Sequence, residues 1–152
     1  MPMLECIRTN FSEAVVPRCS DMGCTLELDG LPNSVVLKGE KIATDRKICD
    51  CLVFAVRNRV LIGVVELKSK TVHADEVVEK LTNGTETALQ VLDRCGNDRM
   101  KPQVYNLVLA KRWDGSEYRV LTNRKVMVRG RKYLILPKRC GVSFSGIISS
   151  LA

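Results

Sequence analysis

Apolar positions recur along the chain in different rhythms, and each rhythm predicts a different element. Cys24 to Leu28 alternates apolar and polar residues, Asp29-Gly30 with Pro32-Asn33 reads as a turn, and Val35 to Ile42 is a second extended segment. Together they predict a hairpin. Two further stretches, Ile48 to Val56 and Val60 to Lys68, are rich in β-branched residues and almost continuously apolar, as central strands covered on both faces are. Only Arg57-Asn58-Arg59 separates them, so they are expected to pair antiparallel through a tight turn.

From Asp75 the period lengthens. Val77, Val78, Leu81, Ala88, Leu89, Leu92 and Cys95 fall at three- and four-residue spacing, which predicts a helix with one apolar face. Asn83-Gly84 is expected to bend or split it, and Gly96 to end it. Upstream, Asn10 or Ser12 is placed to cap a short helix through Val16, with Pro17 closing it. Downstream, Val104 to Ala110 reads as a strand, and Tyr118–Leu121, Val126–Val128 and Tyr133–Leu136 as a strand-rich extension. The predicted order is helix, three strands, helix, strand, then extra strands: an α/β fold with a central mixed sheet.

No repeat, low-complexity tract or Pro/Gly/Ser-rich linker divides the 152 residues, which predicts a single domain over 1–152, with a core over about 10–110 and a basic extension over 111–152. No apolar run approaches the ~20 residues of a spanning helix. Met1 to Thr9 carries Glu5 and Arg8 and no apolar stretch of signal-peptide length, so a cytoplasmic, reducing compartment is expected. In that setting the odd count of seven cysteines (Cys6, Cys19, Cys24, Cys49, Cys51, Cys95 and Cys140) reads as free thiols. The pairs Cys19/Cys24 and Cys49/Cys51 lack the C-x2-C spacing of structural zinc.

Charge changes the picture more than composition does. The net charge is +7, but residues 1–100 hold thirteen Lys/Arg against fifteen Asp/Glu, a balance of −2, and residues 101–152 hold eleven against two, a balance of +9. Clustered Lys/Arg gain affinity for nucleic acid by releasing its counterions. Arg112, Arg124, Lys125, Arg129, Arg131 and Lys132 are therefore candidates for a phosphate-tracking surface, with solvated surface as the other reading.

The chemistry-bearing residues emerge from the hairpin. If its turn is centred on Asn58, paired residues have numbers summing to 116, and Asp50 falls opposite Glu66. Lys68, two residues beyond Glu66, projects to the same face. A register shifted by one residue would part the carboxylates. Opposed carboxylates repel, so the pair calls for a cation, and Mg²⁺ is commonly held by one or two carboxylates together with waters and phosphate oxygens.

Asp50, fifteen intervening residues, then Glu66-Leu67-Lys68 at the end of an apolar strand resembles the D…ExK signature of the PD-(D/E)xK, restriction-endonuclease-like nucleases, a group that includes archaeal Holliday-junction resolvases. The element order is similar to that family's αβββαβ core, over residues 10–110. The resemblance implies a Mg²⁺- or Mn²⁺-dependent endonuclease, a hydrolase of phosphodiester bonds acting on DNA rather than RNA. Asp50 and Glu66 are then metal ligands, the Leu67 carbonyl is a further ligand, and Lys68 assists the attacking water. It also implies a glutamate from the first helix, for which Glu13 is the natural residue and Glu40 the reserve. The proline that often precedes the first aspartate is replaced by Cys49.

A domain this small offers little surface for target recognition, so a homodimer acting on two strands is expected. His73, the only histidine, reads as a proton shuttle or a solvated helix start, and Gln90 as a site-facing or a solvated helix position. Trp113, Tyr105, Tyr118 and Tyr133 read as base-stacking or packing groups. Two other functions stay open: a nucleic-acid-binding module without catalysis, and an interaction subunit that meets an acidic protein.

Overall fold

The two long apolar runs pair as their turn predicts. In the computed structural model, which describes residues 2–68, 73–97 and 99–151, β5 (Cys51–Arg57) and β6 (Arg59–Lys68) form an antiparallel ladder in which Arg57 faces Arg59 and Cys51 faces Val65. Asn58 closes the turn at φ 66°, in the left-handed region that asparagine tolerates better than most residues. These two strands occupy the middle of a seven-stranded mixed sheet.

Its order is β1 (Val15–Val16), β4 (Ser34–Lys38), β5, β6, β7 (Gln103–Ala110), β9 (Arg131–Arg139), β8 (Lys125–Val128). The β6–β7 and β7–β9 pairs are parallel and the others antiparallel. A parallel neighbour needs a crossover. The helix α3 (Ala74–Cys95) supplies the one between β6 and β7.

Both faces of the sheet are covered, and successive strand residues alternate between two cores. Leu52, Phe54, Ile62, Val64 and Val108 pack beneath α1 (Pro2–Asn10) and α3. Val53, Ala55, Leu61, Val65 and Leu107 pack beneath α5 (Phe144–Ser150) and a separate two-stranded ribbon of β2 (Cys19–Asp21) and β3 (Cys24–Leu26). The central mixed sheet with helices on its faces bears out the coarser expectation of a mixed α and β fold.

Several expectations are corrected. The first helix is α1, not a helix over 10–16, where Ser12–Ala14 makes only a 3-10 turn. Cys24–Leu26 pairs with Cys19–Asp21 rather than with the segment after the turn; Ser34–Lys38 joins the main sheet and Gly39–Ile42 folds as the short helix α2. The helix α3 is not split. Gly84 is present because a Cβ there would lie 2.5 Å from the Cys49 sulfur and 2.8 Å from Val64 Cγ1, so its absence lets the helix settle onto the sheet.

The expected strand at Tyr118–Leu121 is the helix α4 (Gly115–Thr122). Asp114 caps it by accepting the Ser116 amide at 2.7 Å, with Glu117 three residues on. That capping signature stands in the sequence as Asp-Gly-Ser-Glu and outweighs the apolar alternation.

The cysteines are not all thiols. Cys6 is bonded to Cys95, tying α1 to the end of α3, and Cys24 to Cys140, tying the ribbon to the end of β9. Cys19, Cys49 and Cys51 remain free and buried. An odd count excludes complete pairing but not partial pairing, and these partners are 89 and 116 residues apart, beyond the reach of spacing rules. The cysteine count therefore no longer argues for a reducing compartment. Among the described residues no helix is long and apolar enough to cross a membrane.

Candidate functional site

The β5–β6 register fixes the site. Continuing the ladder one step past Cys51 and Val65 sets Asp50 opposite Glu66, as the turn-centred reading expected. Both strand ends face α3, and the residues there are polar although the strands beneath them are apolar.

Asp50 is held from two sides. Its Oδ2 accepts the Leu67 amide at 2.7 Å, and its backbone carbonyl accepts the Gly39 amide at 2.9 Å. Any side chain at position 39 would collide with the Cys49 carbonyl, so glycine is what lets α2 reach this strand.

Glu66 is 2% exposed. Its Oε2 faces two ammonium groups, Lys68 Nζ at 3.1 Å and Lys80 Nζ at 3.2 Å. Its buried Oε1 has no hydrogen-bond donor among the described residues. An unsatisfied carboxylate oxygen in a dry site costs a few kcal/mol.

The electrostatics follow. Burial, then the neighbouring Glu66 charge, push the Asp50 carboxyl up to about 7, against the pull of the Leu67 amide; a hydrogen bond to Glu66, which only protonated Asp50 can donate, adds to the rise. Burial and then Glu66 also raise the Cys49 thiol. Burial alone would lower Lys80, but the Glu66 charge and hydrogen bond, with Glu76 at 3.3 Å, outweigh it and keep it above the usual lysine value.

Asp50 opens onto a cleft of about 540 Å³ whose walls include Arg18, Ser20 and Asp21 from the ribbon side, Lys38 and Glu40 at the end of β4, and Lys80 from α3. The acidic reserve Glu40 lines it, paired with Lys38 at 3.3 Å. Glu13 is exposed on the 3-10 turn and does not line it. Among the described residues no three His, Cys, Asp or Glu side chains are arranged to hold a metal by themselves. A cation at the Asp50/Glu66 pair would complete its shell with backbone carbonyl, water or substrate oxygens, as Mg²⁺ does.

Lys80 was missed by sequence reasoning. It stands twelve residues after Lys68, on the helix that the α3 crossover folds back over the β6 end, and its i, i+4 spacing from Glu76 was the one local signal. His73 is exposed at the α3 start without a side-chain cap bond, and Gln90 is exposed. Neither lines the cleft.

The six basic residues of the last third divide. Arg124 pairs with Asp75 at 2.9 Å, and Arg129 with Glu86 at 2.8 Å and Asp93 at 2.9 Å, so both serve to hold the β8–β9 edge onto α3. Arg112, Lys125, Arg131 and Lys132 are exposed. Because β9 runs parallel to β6 and β7, its start at Arg131 and the Arg129-Gly130 turn lie at the end of the sheet away from Lys68. Arg112, which follows β7, lies at the near end.

The aromatics serve packing. Trp113 donates to the Lys138 carbonyl at 2.7 Å and meets Tyr118 edge to face, Tyr105 packs on Phe144, and Tyr133 packs against the α3-side core.

No protein-family model, curated protein or solved structure matches this chain.

Proposed function

We propose that the chain is a Mg²⁺- or Mn²⁺-dependent nuclease of the PD-(D/E)xK kind, hydrolysing phosphodiester bonds of DNA at the Asp50/Glu66 pair. The observation that carries the reading is the donorless Oε1 of buried Glu66 beside a carboxyl pushed up to about 7. Two acids are brought together beside a cleft, and the Glu66 oxygen that has no lysine partner is left without a donor. A proton on Asp50 fills that need in the free protein, and a divalent ion fits the same donor set.

Asp50 and Glu66 would hold the metal, which when bound supplies Lewis-acid polarisation of a phosphoryl oxygen and a more acidic water. The chain's own residues do the rest. The Leu67 and Gly39 amides fix Asp50, the two lysines fix Glu66, and the cleft's cations meet the phosphate backbone. The element order α1, β4, β5, β6, α3, β7 supports the restriction-endonuclease-like core. A homodimer in a cytoplasmic setting remains part of this proposal.

A second reading has its own observation. Lys68 and Lys80 already set two positive charges on Glu66, as a site that has lost its metal and serves only to bind nucleic acid would. Purified protein incubated with supercoiled plasmid and with single-stranded and branched oligonucleotides decides between them. Nicking that requires Mg²⁺ or Mn²⁺ and disappears in Asp50→Asn supports the enzyme. Binding without cleavage under every metal supports the module.

A further inference from the structure

The carboxylate pair is served by two lysines, and they are not equivalent. Lys68 and Lys80 approach the same Glu66 oxygen at 3.1 and 3.2 Å and are about equally exposed, 19% and 21%. Their surroundings differ. Lys80 lines the cleft alongside Asp50, Arg18 and Lys38, whereas Lys68 is not among the described residues that line it. Lys80 also holds a second carboxylate, Glu76 at 3.3 Å, one helical turn back and 39% exposed. An ion pair that open to solvent is held only weakly, so little opposes its exchange for another anion.

A lysine head is a compact charge on a flexible stem, suited to leaving one oxygen for another. On Lys80 that freedom is directed at the cleft. Lys68, tied to the strand two residues from Glu66, has its charge directed at the carboxylate.

We infer that Lys80, rather than Lys68, is the lysine that touches a nucleic-acid phosphate in this cleft, and that Lys68 is a positioning residue that fixes the Glu66 carboxylate. The inference rests on the nuclease reading above, but one arm of its test does not. The exchange needs no covalent step: the Lys80 ammonium releases Glu76 and pairs with a phosphate oxygen.

The test uses the full chain as wild type, Lys80→Ala, Lys80→Met, Lys80→Arg and Lys68→Ala. Each is checked for a cooperative melt, the methionine variant keeping the aliphatic stem in place. Labelled single-stranded and duplex DNA oligonucleotides are titrated in EDTA over a range of salt, and cleaved under single turnover across Mg²⁺ concentrations. Loss of the Lys80 charge is expected to flatten the salt slope of metal-free binding by about one unit, with Lys80→Arg restoring it. It should also slow cleavage at saturating Mg²⁺ by ~10²-fold or more. Lys68→Ala is expected to keep the wild-type slope and to raise the Mg²⁺ needed for half-maximal rate.

A wild-type salt slope in Lys80→Ala and Lys80→Met, or loss of slope in Lys68→Ala instead, overturns the assignment. Absence of cleavage by wild type defeats the nuclease reading alone, since the metal-free titration still decides which lysine meets phosphate. Absence of any oligonucleotide binding by wild type defeats both.

Discussion

The Leu67 amide donates to Asp50 Oδ2 at 2.7 Å across the open end of the β5–β6 ladder, just past its last pair, Cys51 and Val65. The bond replaces a ladder hydrogen bond with a side-chain one and aims the Asp50 carboxylate at Glu66. Burial and the Glu66 charge outweigh the downward pull of this bond and leave Asp50 with a proton near neutrality, from which a pH dependence follows.

The carboxyl of Asp50 ordinarily titrates at 3.8 and in the fold at about 7. The folded chain therefore holds a proton that the unfolded chain releases across this window, so the contribution to stability is full below about pH 4 and is lost as pH rises through about 7. Without divalent metal, the melting temperature should fall between about pH 4 and about pH 7. Asp50→Asn should remove that slope and melt higher than wild type at the alkaline end. A wild-type melt that is flat over the window would falsify the assignment.

Divalent metal should reverse the same loss. At about pH 8, Mg²⁺ or Mn²⁺ at 100 times its dissociation constant should stabilise wild type by about 2.7 kcal/mol, and Asp50→Asn should gain much less. Equal shifts in the two proteins would mean that the ion binds elsewhere.

Gly84 sits at the closest approach of α3 to the sheet, where a Cβ would lie 2.5 Å from the Cys49 sulfur. Alanine improves helix propensity by about 1 kcal/mol but overpacks this contact at a cost of about 1–3 kcal/mol. Gly84→Ala should therefore be neutral to destabilising by urea titration. Adding Cys49→Ala should recover part of the loss, and simple additivity of the two changes would count against direct contact.

Reduction should act through the unfolded chain. The Cys6–Cys95 and Cys24–Cys140 links close long loops, each worth about 2–4 kcal/mol in constraining the denatured state. Thiol titration of the denatured, non-reduced protein should find the three cysteines Cys19, Cys49 and Cys51. Seven reactive thiols would restore the reading drawn from the cysteine count.

Among the basic residues, partners decide the outcome. Arg129 is committed to Glu86 and Asp93, so Arg129→Gln should lower the melting temperature and leave the salt slope of DNA binding alone. Exposed Lys125 and Lys132 have no such bond in the described set, and on the nucleic-acid reading their joint replacement by Gln flattens the slope by up to about two units. The reverse pattern would reassign the two groups.

What could be read in advance depended on the range of the interaction. The β5–β6 register was legible because it is set by a three-residue turn and by apolar runs on either side, and the placing of Asp50 opposite Glu66 came with it. Lys80 was not legible, because it reaches Glu66 only once α3 has crossed back over the sheet. The disulfides were hidden for the same reason. The helix α4 is a different case: its cap was present in Asp114 to Glu117, and apolar alternation was given more weight than the cap.

The two disulfides interleave, Cys24 lying between Cys6 and Cys95 in sequence and Cys95 between Cys24 and Cys140. Every peptide bond between Cys6 and Cys140 is thus spanned by at least one of them. A protease that cuts the backbone once anywhere in that interval releases nothing: the nicked molecule migrates at full mass until a reductant is added, and new chain ends can be opened there while the two pieces stay tethered.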